Sequence, residues 1–106
     1  MQAPASSTTV ANTAPSAPLN FSAATSSNTV SLSWSAPATT GGTITGYKIY
    51  RGTAPGKYNL IKTTNGSTLS YVDGNKVNGT TYYYVISALN AIGESPLSAA
   101  IRAIPQ

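Results

Sequence analysis

The run Gly79-Thr80-Thr81-Tyr82-Tyr83-Tyr84-Val85-Ile86-Ser87-Ala88-Leu89-Asn90 decides how this chain folds. Aromatic and β-branched residues dominate it, no proline interrupts it, and Asn78-Gly79 supplies a turn signal at its start. It reads as a long central β-strand. Side chains alternate between faces along a strand. Tyr82, Tyr84, Ile86 and Ala88 therefore form one row, expected to line a core. Tyr83, Val85, Ser87 and Leu89 form the other, expected to lean outward.

The rest of the chain supplies partners for that strand. Leu19 and Phe21 alternate with polar neighbours over residues 18–24, and Val30, Leu32 and Trp34 share one face of 29–35. Residues 44–52 make a third strand, with Tyr47 and Ile49 on one face and Lys48 and Tyr50 on the other; residues 58–64 make a fourth. Asn65-Gly66 predicts a two-residue hairpin into 67–73, because the favoured tight turns need φ > 0 at both central positions. Leu69 and Tyr71 fall in phase there. A last strand is expected to begin within 94–98 and to end near Ile104, with Pro96 at an edge or at the strand's first position, where no ladder donor is missed. Seven short strands, regular turn signals and no helical periodicity predict an all-β fold, a seven-stranded immunoglobulin-like β-sandwich. Trp34, the only tryptophan, shares the apolar phase of Val30 and Leu32 and is expected in the core.

Several motifs in these strands resemble fibronectin type III domains. In the central strand these are Gly79-Thr80-x-Tyr82, then Ala88, Asn90 and Gly93. Trp34 followed by Pro37, and the run Gly46-Tyr47-x-Ile49-Tyr50-Arg51, extend the resemblance over about residues 14–106. It implies that Tyr82 is a tyrosine-corner residue, its ring buried and its hydroxyl bonded to nearby backbone. Trp34, Tyr47 and Tyr82 are then the structural residues. Many relatives carry Leu and Pro six and four residues before the corner Tyr; Lys76 and Asn78 stand there in this chain, and Val77 is expected to supply the apolar plug.

Composition narrows the function. Charged residues make up 8% of the chain, against an ordinary level of about 25%. No cysteine is present, so disulfides and thiolate chemistry are excluded. The net charge of +4 comes from cations scattered singly, not from the stripe that nucleic-acid binding needs. No apolar run reaches the length of a membrane span. With neither His nor Cys, nucleophile–imidazole pairs cannot be built. The only acids, Asp73 and Glu94, read as solvated turn residues at opposite ends of the sandwich. There they could neither act as a glycosidase pair nor together hold Ca²⁺. No catalytic residue, metal or cofactor is expected, and the chain does not read as an enzyme.

Residues 1–17, rich in Ala, Ser, Thr and Pro, read as a linker or tail, and 18–106 as the domain. The resemblance implies a spacer or structural accessory module in a secreted or cell-surface multidomain protein such as a polysaccharide hydrolase. It would be an extracellular monomer whose partners are neighbouring domains, with no nucleic acid and no membrane insertion. Two alternatives stay open. In one, Lys48, Tyr50 and Tyr83, on the outward face of the sheet formed by the third, sixth and seventh strands, bind carbohydrate or protein. In the other, the tail, whose residues 6–10 have β-propensity, adds a strand to a neighbouring copy.

Overall fold

The computed structural model describes residues 13–106; the 6–10 run considered for strand addition lies outside the described residues. Seven strands form in chain order: β1 (Leu19–Ser26), β2 (Thr29–Ser35), β3 (Gly46–Ala54), β4 (Lys57–Asn65), β5 (Ser70–Asp73), β6 (Tyr82–Leu89) and β7 (Ile101–Ala103). They make two antiparallel sheets, β1-β2-β5 and β4-β3-β6-β7, stacked as a sandwich.

The inward row of β6 is buried as its alternation predicts, with Tyr84, Ile86 and Ala88 fully enclosed. It packs with Tyr47 and Ile49 of β3 and with Val30, Leu32 and Trp34 from the opposite sheet. Trp34 is the hinge of this layer. Its ring meets Tyr47 edge-on at 5.5 Å between centroids and Phe21 at 6.3 Å. Such edge-to-face pairs contribute about 0.5–1.5 kcal/mol each beyond the area they bury. The indole Nε1 has no hydrogen-bond partner, so the residue holds its place by packing alone.

The loop before β6 fastens the corner. The Val77 amide donates to the Tyr82 hydroxyl at 2.9 Å, which is the tyrosine corner the resemblance implied. Gly79 takes φ +84°, and Thr80 N closes a turn on the Val77 carbonyl, as the Asn78-Gly79 signal predicted. Val77 does not plug the core; it is 61% exposed. Lys76 fills the place instead. Its ammonium lies 5.4 Å from the Tyr82 ring centroid, and its side chain is 12% exposed. A long aliphatic stem can cover apolar surface while its charge finds partners at the rim.

Three further expectations are corrected. Asn65-Gly66 is a crossover between the sheets, not a hairpin: β4 pairs with β3, whereas β5 pairs with β2. Neither residue has positive φ. The Asn65 side chain closes the turn itself, accepting from Ser67 N, Ser67 Oγ and Thr68 Oγ1. The last strand is shorter than expected. Over 94–98 the chain follows β6 with two serine hydroxyls standing in as acceptors, Ser95 Oγ for Ala88 N and Ser98 Oγ for Ile86 N. Leu19 is exposed rather than inward, because the ladder slips between Leu19 and Ser22 around Asn20 at φ 55°.

Trp34→Ala is expected to lower unfolding free energy by about 3–5 kcal/mol. Trp34→Phe should cost only about 1–2 kcal/mol, since the orphaned N–H leaves with the indole. Urea titrations of the two variants test this. Equal losses would show that Nε1 is not a burden on the native state.

Candidate functional site

Register brings the three residues expected on the outward face close together. Lys48 stands opposite Ser87, Tyr50 opposite Val85, and Gly52 opposite Tyr83, which in turn faces Arg102 of β7. This face is less open than its sequence suggested. Val85 and Ser87, expected to lean outward, are 3% and 0% exposed. A large ring stands beside Val85 in register, and a carboxylate bonds to the Ser87 hydroxyl.

That carboxylate is Glu94. The chain turns back after β6, with Leu89 bridged to Glu94, and so brings the acid over the sheet. Glu94 Oε2 accepts from Ser87 Oγ at 2.6 Å and from Tyr50 Oη at 2.6 Å, and Lys48 Nζ lies 3.7 Å from Oε1. The Ser87 hydroxyl first, and the Tyr50 hydroxyl next, hold the Glu94 carboxyl below its ordinary value. Burial opposes them, and the Lys48 charge adds to the lowering. A carboxylate stabilised in this way is a poor general base near neutrality. The polar groups of Lys48 and Tyr50 are thus engaged by the protein's own loop. Tyr83 is half-buried and makes no side-chain hydrogen bond among the described residues.

Asp73 forms a second cluster, and it corrects the reading of this acid as a solvated turn residue. It ends β5 and is 5% exposed. Arg51 Nη1 donates to both its oxygens at 3.1 and 2.9 Å, Tyr84 Oη donates at 2.7 Å, and Lys76 Nζ lies 3.8 Å away. Arg51 belongs to one sheet and Asp73 to the other, so the pair is a tie across the sandwich. Burial, then the bond to Asp73 and its charge, push the Tyr84 phenol well above its ordinary value. Asp73 bonds to the inward-facing Tyr84, and Glu94 to Ser87 on the opposite face of β6. The two acids are therefore separated by the sheet.

The ends of the sandwich carry polar ties of another kind. Asn90, buried, donates from Nδ2 to the carbonyls of Thr13 (2.6 Å) and Thr40 (3.0 Å) and accepts at Oδ1 from Ile92 N and Gly93 N. Thr13 N donates to Gly41 O, and Ser16 N to Thr39 O. Gly41 has φ +65°, and a Cβ there would run into the Thr13 carbonyl. At the far end Asn28 exchanges bonds with Lys76 N and O and donates from its own N to Asn78 Oδ1. Gly79 N there donates to Pro105 O. Sequence reasoning did not find Asn28. Its signal was a Ser-Ser-Asn-Thr run between two apolar-patterned strands, which is turn chemistry.

The architecture is that of an immunoglobulin-like sandwich module with a tyrosine corner. The fibronectin type III domain family matches residues 14–104, and this chain belongs to that family. It is 40% identical over 74 residues to an amylopullulanase of Thermoanaerobacterium saccharolyticum, covering 70% of this chain and 6% of that protein. It is 37% identical over 73 residues to usherin of Homo sapiens, covering 66% of this chain and 1% of that protein. A solved Fn3-like protein from Clostridium thermocellum superposes with a TM-score of 0.71 at 31% identity, over 89% of this chain and 97% of the other. The chain spans only a small part of the curated relatives it matches.

Two outcomes follow from the clusters. Asp73→Asn should cost about 3 kcal/mol because it leaves Arg51 and Tyr84 around an uncharged group, whereas Glu94→Gln, at a half-exposed site, should cost no more than about 1 kcal/mol. Chemical denaturation at neutral pH ranks them, and equal costs would contradict the difference in burial. The pH profile should fall at both ends. Glu94 has a lowered carboxyl, so its contribution is present above the unfolded carboxylate value of about 4.3 and is lost as pH drops through the folded value. The raised phenols of Tyr84, Tyr50 and Tyr47 act oppositely. Their contribution is intact below about pH 10 and is lost as the unfolded chain deprotonates above it. Alkaline melting curves of wild type and Tyr84→Phe test this; the variant should lose less stability above that pH.

Proposed function

We propose that this chain is a non-catalytic spacer and accessory module of a secreted or cell-surface multidomain protein, of the kind that acts on polysaccharide. One observation carries the reading. The chain enters against Gly41 and Asn90 at one end of the sandwich and leaves against Gly79 at the other, fastened at each by hydrogen bonds. β6, with 8 residues, runs from the exit end to the entry end, which sets the attachment points apart by roughly 26 Å at about 3.3 Å per residue. A body joined this way holds its neighbours at a set distance. The absence of His and Cys and the lowered carboxyl of Glu94 favour a non-catalytic role. The relationship to amylopullulanase modules favours the polysaccharide-degrading setting. Neighbouring domains of the same polypeptide are the partners this reading requires.

Native affinity electrophoresis through gels containing starch or pullulan, with size-exclusion chromatography alongside, tests the reading. Unretarded migration and a monomeric elution are expected. Retardation that Tyr83→Ala abolishes would overturn the spacer in favour of a carbohydrate-binding face at Lys48, Tyr50 and Tyr83.

A further inference from the structure

The chain contains two Asn-Gly pairs, Asn65-Gly66 and Asn78-Gly79, and the fold treats them oppositely. We propose that Asn65 is a self-modification site: in the folded protein it converts to aspartate and isoaspartate, while Asn78 is held back.

The chemistry belongs to the Asn-Gly pair itself and needs only water. Hydroxide takes the proton of the glycine backbone nitrogen, which attacks the asparagine Cγ, forming an N–Cγ bond and placing negative charge on Oδ1; hydroxide is returned when ammonia leaves. The tetrahedral centre collapses, the Cγ–Nδ2 bond breaks, and ammonia departs with a proton from water. Water then opens the resulting five-membered imide. Cleavage of the new N–Cγ bond gives aspartate; cleavage of the original backbone C–N bond gives isoaspartate. The sum is asparagine plus water yielding an acid plus ammonia.

At Asn65 the structure favours the step in which charge develops. Three donors converge on Oδ1, the atom that takes the charge: Ser67 N at 3.0 Å, Ser67 Oγ at 3.0 Å and Thr68 Oγ1 at 2.8 Å. Donors already aimed at a developing oxyanion lower the barrier without reorganising. The bond to Ser67 N curls the side chain forward, so the ring it closes contains both the Asn65 Cγ and the Gly66 nitrogen. That nitrogen has no hydrogen-bond partner among the described residues, and glycine puts no side chain in the path. The product is also well received. The same three donors would serve a carboxylate, at the rim of a polar groove that Asn65 shares with Lys62.

Asn78 lacks these features. The Gly79 nitrogen is engaged, donating to Pro105 O at 2.8 Å. The Asn78 side chain is drawn away from it toward the β1–β2 turn, where Oδ1 accepts from Asn28 N at 2.7 Å and Nδ2 donates to Ser27 Oγ. One remote donor replaces three local ones.

The test is peptide mapping by mass spectrometry of the whole chain, incubated folded in mildly alkaline buffer and, in parallel, unfolded in urea at the same pH and temperature. In the folded protein the Asn65 peptide should gain about one mass unit, in aspartyl and isoaspartyl forms, at least as fast as in urea, while the Asn78 peptide stays unchanged. In urea both should react at similar rates. Thr68→Val removes one donor and should slow Asn65 in the folded protein by about tenfold, the rate equivalent of one hydrogen bond, and leave the urea rates alone. Reaction of Asn65 more slowly folded than unfolded, reaction of Asn78 first, or a Thr68→Val rate equal to wild type would each overturn the proposal.

Discussion

The inner face of β6 meets the inner face of β2 across a single layer of side chains, and the other contacts are arranged around that meeting. Trp34 supplies its bulk from one sheet and Tyr47, Tyr84 and Ile86 from the other. There is no disulfide to constrain the unfolded chain and little charge to organise the surface. A module of this size buries only a modest core, so its margin of stability is narrow. The layer must then be closed at both ends, where water would otherwise reach it, and polar side chains do that closing.

The two ends are closed by different chemistry. At the entry end one amide, Asn90, ties the arriving chain and two loops together with four hydrogen bonds. At the exit end a charge does the work, with Asp73 drawing Arg51, Lys76 and the Tyr84 hydroxyl onto one carboxylate. Lys76 serves twice, its stem lying on the Tyr82 ring and its ammonium facing Asp73. An apolar residue at 76 could plug the corner but could not balance the acid. The departure from the family pattern at Lys76 thus makes sense together with Asp73, and not by itself.

Much of the fold was legible because a strand's period of two is written into each segment separately. The rows of β6 and β2 could be read without knowing their neighbours, and so could Trp34 and the Tyr82 corner. What failed to read was whatever depended on a distant partner. Asp73 looked like a turn residue because Arg51 lies 22 positions away on the other sheet. Val85 and Ser87 looked exposed because nothing local announces that Tyr50 stands beside the one or that Glu94 folds back to bond the other. Asn65-Gly66 carried a correct turn signal, but the serine and threonine that follow offered the Asn side chain its bonds. That gave a crossover between sheets in place of a hairpin. Lys48, Tyr50 and Tyr83 share one face, as their alternation predicted; the engagement of Lys48 and Tyr50 by Glu94 was not legible.

The charges of the surface follow from this architecture. The chain has six cations and two acids. Both acids are committed to cations of the chain, Asp73 to Arg51 and Lys76, and Glu94 to Lys48. Neither carboxylate is left to offset Lys57, Lys62 and Arg102, which have no ion-pair partner among the described residues. The field around the module is therefore positive, though the residues producing it lie apart on β4 and β7 and form no patch. Scattered charge of one sign discourages self-association without selecting a partner. That combination suits a body whose purpose is to stand between others, stable at its ends and soluble along its sides. Of the two acids, Asp73 is the one that ties the sheets together, through Arg51, whereas Glu94 fastens its own loop onto the outer face of one sheet.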